Sequence, residues 1–177
     1  MTPSVTASDI FTALGNFLTG ILPTNFPIIR GQINRVAEPA GPDFVMMSPA
    51  GRARLSTEAT SWDTTNTAPT VVTTASSWRV TIQVDVHGPN GEDNAQLIEQ
   101  FVRSDFGFAT FAGGSKPIQL LGCSDAQQAP FVNGEGQYEY RWVIRVDLEA
   151  IISVDVAAQF MTGLTVGMAQ ADNPALA

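Results

Sequence analysis

The chain has 177 residues, a length that suits one domain and is enough to bury a real core. Apolar residues make up 44% but charged residues only 15%, against about 25% in an ordinary soluble protein, and the net charge is −8 with one cysteine, Cys123. These totals exclude an intrachain disulfide and argue against a protein that wraps nucleic acid, which needs clustered Lys and Arg.

The charge is unevenly placed. Residues 1–56 hold four Arg against three acids, and residues 57–177 hold five bases against fourteen acids. So weakly charged a surface fits a compact domain with a Thr/Ser coat, or an assembly subunit that hides surface against copies of itself or other partners.

The first segment, MTPSVTASDIFTALGNFLTGILP, has no basic region ahead of its apolar core and is too short to span a bilayer, so no membrane role is expected. It reads as a helix capped by Ser8 or Asp9, with Ile10, Leu14, Phe17, Leu18 and Ile21 as a buried stripe and Pro23 as the stop. Residues 27–36 look extended and lead into a turn through Pro39, Gly41 and Pro42. Phe44–Met47 suits a short buried strand, with Arg52–Thr57 as a second piece beside it. The Thr/Ser-rich stretch at about 57–77 reads as a strand plus a long exposed loop or arm, because Trp62 and two valines break its low complexity.

Residues 78–86 alternate cleanly, with Trp78, Val80, Ile82, Val84 and Val86 on one face. A turn at 87–91 precedes a helix from about Glu92 to Ser104, whose stripe is Leu97, Ile98, Phe101 and Val102. Pro117–Leu121 suits a strand. The run from Gln137 to Glu149 predicts another, with Tyr138, Tyr140, Trp142, Ile144, Val146 and Leu148 on one face. Residues 159–168 could add a last strand, and about 170–177 read as a flexible tail. The order predicts one α+β domain over 1–177, a mainly antiparallel mixed sheet packed against two helices.

Little in this pattern points to chemistry. His87 shares a strand face with Asp85 and precedes Glu92 and Asp93, which is thin material for a metal site, and no ligand-spacing motif is present. The plainer reading is a strand-ending histidine beside a solvated turn. No G-x-S-x-G stretch offers a nucleophile, and Cys123 suits a small buried residue at a strand end. AGGSKP at 112–117 lacks the phosphate-loop pattern. No catalytic residue, metal or cofactor is expected. The early arginines Arg30, Arg35, Arg52 and Arg54 fit either scattered surface charge or an acidic partner face, including another copy of the chain.

The string RGQINRVAEPAGPDFVMMSP, continued by GRARLST, resembles the bacteriophage tail-terminator (neck terminator) family of contractile-tailed phages. The features that carry the resemblance are Gly31, Asn34, Arg35 and Val36, the Pro39 turn, Phe44–Met47, Pro49 and Arg54–Thr57. VTIQVDVHGPN, Phe101–Ser104 and QFMTGLTVGMAQAD are similar to later family segments in the same order, with His87 where a Tyr is expected.

The resemblance implies a non-enzymatic virion protein at the tail–neck junction, assembled in the host bacterial cytoplasm. It implies a ring, a hexamer by expectation, that caps the head-proximal end of the tail tube and stops its growth. The implied partners are further copies of the chain, the tube protein, the sheath as a second candidate, and the neck and head-completion proteins. Genomic DNA then passes through the lumen without specific binding. Asn34, Arg35, Arg52, Arg54 and Trp62 are the residues expected at a subunit or partner interface. Three other readings stay open: a connector or tail-completion protein that does not set length, a tube or sheath subunit, and a small His87-centred enzyme.

Overall fold

The structure is a computed structural model that describes residues 2–32, 39, 41–62, 70–132 and 138–158. The expected strand at 159–168 and the tail after it lie outside the described residues.

Helix α1 (Ala7–Ile21) starts one residue after Thr6, not at Ser8 or Asp9. Thr6 Oγ1 accepts from the Asp9 backbone N–H at 3.2 Å, while Asp9 Oδ2 accepts from the Thr6 N–H and hydroxyl at 2.8 Å each. Asp9 is thus the third residue of a capping box rather than the cap. Removing the hydroxyl in Thr6→Ala is expected to cost about 1 kcal/mol. The two Thr6 hydrogen bonds hold the Asp9 carboxyl below the ordinary aspartate range. A lowered value contributes stability that is whole at neutral pH and is lost as the pH falls through it. The penalty of Thr6→Ala should therefore shrink in urea melts run below pH 4, and a penalty constant down to pH 2 would contradict the capping account.

Of the stripe expected on α1, Ile10, Leu14, Phe17 and Leu18 are buried, Ile21 is half-buried, and Phe11, which was not expected, is buried with them. A short strand β1 (Ile28–Arg30) follows and runs parallel to β2 (Phe44–Arg54). The two pieces expected at 44–47 and 52–57 are one strand as far as Arg54, with a register shift between Pro49 and Gly51, and residues 55–57 lie past its end. Val45 N–H donates to Pro27 and the Met47 carbonyl accepts from Gly31, so odd-numbered residues of β2 face β1. By alternation, Pro49 turns its missing donor away from β4, beyond the end of β1, so it forfeits no bond of the β2–β4 ladder.

After β3 (Ala59–Trp62), the chain returns as β4 (Thr70–His87), twice the length expected from its alternating half. Helix α2 (Gly91–Val102) buries Ile98 and Val102 as the stripe requires. A third helix, α3 (Asp105–Ala112), follows at once, capped by the Ser104 hydroxyl on Gly107 N–H. Two helices were expected, and this one was not among them. Gly107 is required here, since a Cβ would run into the Phe101 carbonyl and approach Leu120 Cδ2 to 3.0 Å.

Strands β5 (Ile118–Cys123), β6 (Gln127–Gln128), β7 (Phe131–Val132), β8 (Tyr138–Glu139) and β9 (Arg141–Ala158) complete the described chain. The sheet has seven strands in the order β1-β2-β4-β9-β5, with β3 also on β4 and β6 on β9, while β7 and β8 pair separately. All ladders but β1–β2 are antiparallel. The α+β class holds, with a mixed sheet and three helices. Tyr138 and Tyr140 are not on the buried face as expected: the strand breaks at Tyr140, and the two rings are 80% and 63% exposed.

The core lies on one face of the sheet. Val45, Met47, Val80, Ile82, Val84, Val86, Leu120, Ile144, Val146 and Leu148 meet Leu14, Leu18, Ile98, Val102 and Phe111 from the three helices. Burying each such aliphatic side chain contributes roughly 1.5–3 kcal/mol.

Candidate assembly surface

β4 and β9 pair over their full lengths, from Thr70↔Ala158 to His87↔Arg141. Buried side chains begin at Val80 on β4 and end at Ala150 on β9. Apart from Ile152, which still packs on the edge of the core, Thr70–Ser77 and Ile151–Ala158, together with β3, therefore run past the helices as a three-stranded arm. Its faces are Thr- and Ser-rich but not polar throughout: Trp62 is 55% exposed, Ile151 46%, and Val71 and Val156 38% each. Trp62 and Val156 flank Val72 in one row on one face, while Val71 and Ile151 lie on the other, and the contiguous row suits a contact surface. Thr73 donates to Asp155 across β4 and β9 at 2.7 Å, and Ser77 donates to Glu149, so the ribbon is cross-linked by side chains as well as backbone.

Arg52 and Arg54 sit at the root of the arm, on the Trp78 ring at 5.1 and 5.2 Å. Arg30 is farther along the sheet, on β1, and lies on Phe11 at 4.1 Å. The aromatic partners were invisible in sequence because they are distant in the chain. Each contact is worth about 0.5–1 kcal/mol at an exposed site. Arg54 also pairs with Glu58 at 3.2 Å. Of the five residues expected at an interface, Arg52 and Arg54 come together, and Trp62 shares their sheet face. It lies six β4 positions away in register, or about 20 Å. Asn34 and Arg35 lie outside the described residues.

The face opposite the helices is polar along its middle. Arg79, Thr81, Gln83, Arg145, Asp147 and Glu149 alternate with the core residues of β4 and β9. Thr81 donates to Asp147. Asp85, only 1% exposed, accepts from Arg141 Nη2 at 3.0 Å, from Arg141 Nε at 3.2 Å and from the Gln83 amide at 3.0 and 3.1 Å. The carboxylate once considered beside His87 as a metal ligand is thus engaged with Arg141. Among the described residues, no three His, Cys, Asp or Glu side chains are close enough to hold a metal ion.

His87 ends β4, is buried and stacks on Phe44 with ring centroids 4.4 Å apart and planes 6° from parallel. Pro39, Pro42, Pro89, Tyr138 and Tyr140 complete a cleft of about 500 Å³ around that pair. Gly88 adopts φ +103°, and a side chain there would run into Asp43 and the Pro42 carbonyl, so the residue has to be glycine. Cys123 ends β5 half-buried, and burial pushes its thiol up, against the weaker opposing pull of Arg103. A thiol held protonated is a poor nucleophile.

A long sheet with one helix-covered face, an exposed arm and stacked arginines suits contact with other protein surfaces. Residues 8–169 match the sequence profile of the phage neck terminator proteins. The chain belongs to the phage neck terminator family. The match spans the described elements from α1, all but its first residue, to β9. It makes this family member a structural tail and neck protein and a component of the bacteriophage virion. No curated protein is significantly similar to the chain. Among the described residues, no helix is long and apolar enough to cross a membrane.

Proposed function

We propose that this terminator caps the head-proximal end of the tail tube, ends tube polymerisation and forms the junction with the neck and head. It acts as a closed ring of identical copies, six by expectation, with the tube protein below, the neck proteins above and DNA passing through the lumen. The single observation that carries this reading is the family match along residues 8–169. The fold agrees with it: a subunit with one covered and one open sheet face, and an arm leaving one end, can make heterologous contacts that close when the rotation permits. The acidic excess beyond residue 57 suits a channel through which DNA slides without sticking.

Native mass spectrometry of the purified chain separates this reading from a tube or sheath subunit. The expected spectrum holds one closed oligomer, or that oligomer with its monomer. An open-ended series of masses growing with concentration would assign the chain to the polymerising parts of the tail.

A further inference from the structure

We propose that the arm joins neighbouring copies by sheet continuation: the outer edge of β9 on one copy pairs in parallel with the outer edge of β3 on the next. This deepens the ring reading and rests on it.

The argument starts from where the backbone groups point. Ile151 N–H donates to Pro117, the Ser153 carbonyl accepts from Ser4 N–H, and Ser153 N–H donates to Ser4 Oγ. Odd-numbered residues of β9 therefore turn their peptide groups away from β4. Alternation carries this on to Asp155 and Ala157, which no described strand covers. On the other side of the ribbon, the Ser77 carbonyl accepts from Leu55 and Ser56. Odd residues of β4 thus face β3, and Ala75 and Thr73 stand opposite Ala59 and Ser61. Thr60, one position along, turns its N–H and carbonyl outward. An edge of this kind is a template for another strand.

Direction then selects the partner. β3 and β9 are both antiparallel to β4, so they run the same way on opposite sides of one ribbon. Placing β3 of one copy on β9 of the next gives a parallel ladder that repeats with the same sense at each junction, which is a heterologous contact. Pairing β9 with β9 across a two-fold axis is antiparallel and stops at a dimer. Only the first arrangement builds a ring. It also sets Thr60 and the exposed Trp62 ring beside Val154 and Val156 of the neighbour, because paired strands share their faces, and it covers apolar surface that the monomer leaves open.

The test uses disulfide trapping in a Cys123→Ser background. Strands paired in parallel bring Cα atoms to about 4.8 Å, within disulfide reach. Protomers carrying Thr60→Cys are mixed with protomers carrying Val156→Cys, and a parallel set uses Val154→Cys. The expected result is a cross-linked dimer in one of the mixtures and in neither component alone, with the matching double variant giving a ladder that ends at the ring number. Ala157→Pro, which removes only an outward N–H, should abolish the ladder from that double variant and the native oligomer while leaving circular dichroism and melting unchanged. Val156→Pro, which removes an inward one, should lower the melting temperature.

Dimers from Val156→Cys or Val154→Cys alone would overturn the proposal in favour of a two-fold contact. A closed oligomer with no cross-link in either mixture would overturn the arm and leave the ring reading standing. A monomer at every concentration, with no link, would overturn both. Links formed within one copy from Val156→Cys to a cysteine placed in residues 159–168 would show the edge covered by the chain itself, and would also overturn it.

Discussion

Replacing Leu14 by Ala is expected to lower the unfolding free energy by about 3–4 kcal/mol. Leu14 is fully buried at the centre of α1, among the side chains that the helix lays on the sheet. Its truncation removes the transfer free energy of the lost atoms and opens a cavity that the long β4–β9 ladder resists closing. A chain of this length loses about 2–4 °C per kcal/mol, so the melting temperature should fall by about 6–16 °C. Leu121 supplies the contrast. It is 43% exposed on β5, and Leu121→Ala should change stability by less than about 1 kcal/mol. Equal losses at the two positions, measured by urea denaturation, would mean that the core is not where the helices place it.

Arg141→Ala should destabilise by about 3 kcal/mol for a different reason. The substitution creates little cavity, since Arg141 is 27% exposed, but it leaves the Asp85 carboxylate, 2% exposed in its side chain, with only the Gln83 amide. The cost is that of an uncompensated buried charge, so Asp85→Asn in the same chain should recover part of it. A double variant no more stable than Arg141→Ala alone would show that the loss comes from packing of the arginine stem. By contrast, the surface pair Arg54–Glu58 should matter little, being exposed on both sides.

The legible parts of the sequence were those where one face is buried and the other wet. Val80–Val86 and Ile144–Leu148 alternate because the helices cover one side of the sheet and solvent meets the other. The same strands vanish from view in the arm, where neither face is in the core and Thr, Ser and Val carry no period. Strand β2 was split because Pro49 reads as a stop, although a proline whose nitrogen points away from β4 interrupts no bond of that ladder. Helix α3 was missed because DFGFATFA is apolar on several sides, with Phe106 and Phe108 half-exposed and only Gly107 and Phe111 buried. Its readable signal was Ser104 followed by Asp105, a cap and an acidic first turn.

The surface candidates were partly legible. Arg52 and Arg54 stood out as charges, but their partner Trp78 belongs to a strand paired with theirs, which no local pattern reveals. Asp85 drew notice for its closeness to His87, whereas its contacts come from Gln83 and, across the β4–β9 ladder, Arg141. The family resemblance rested on motif order, which survives where individual contacts cannot be guessed.

The most direct test of the account is the length distribution of tails, read by negative-stain electron microscopy, in lysates of phage lacking this one chain. Capping and termination predict headless tubes much longer than the wild-type tail, with complementation restoring one length. Headless tails of wild-type length would contradict the termination claim and favour a connector that joins head to tail without limiting the tube.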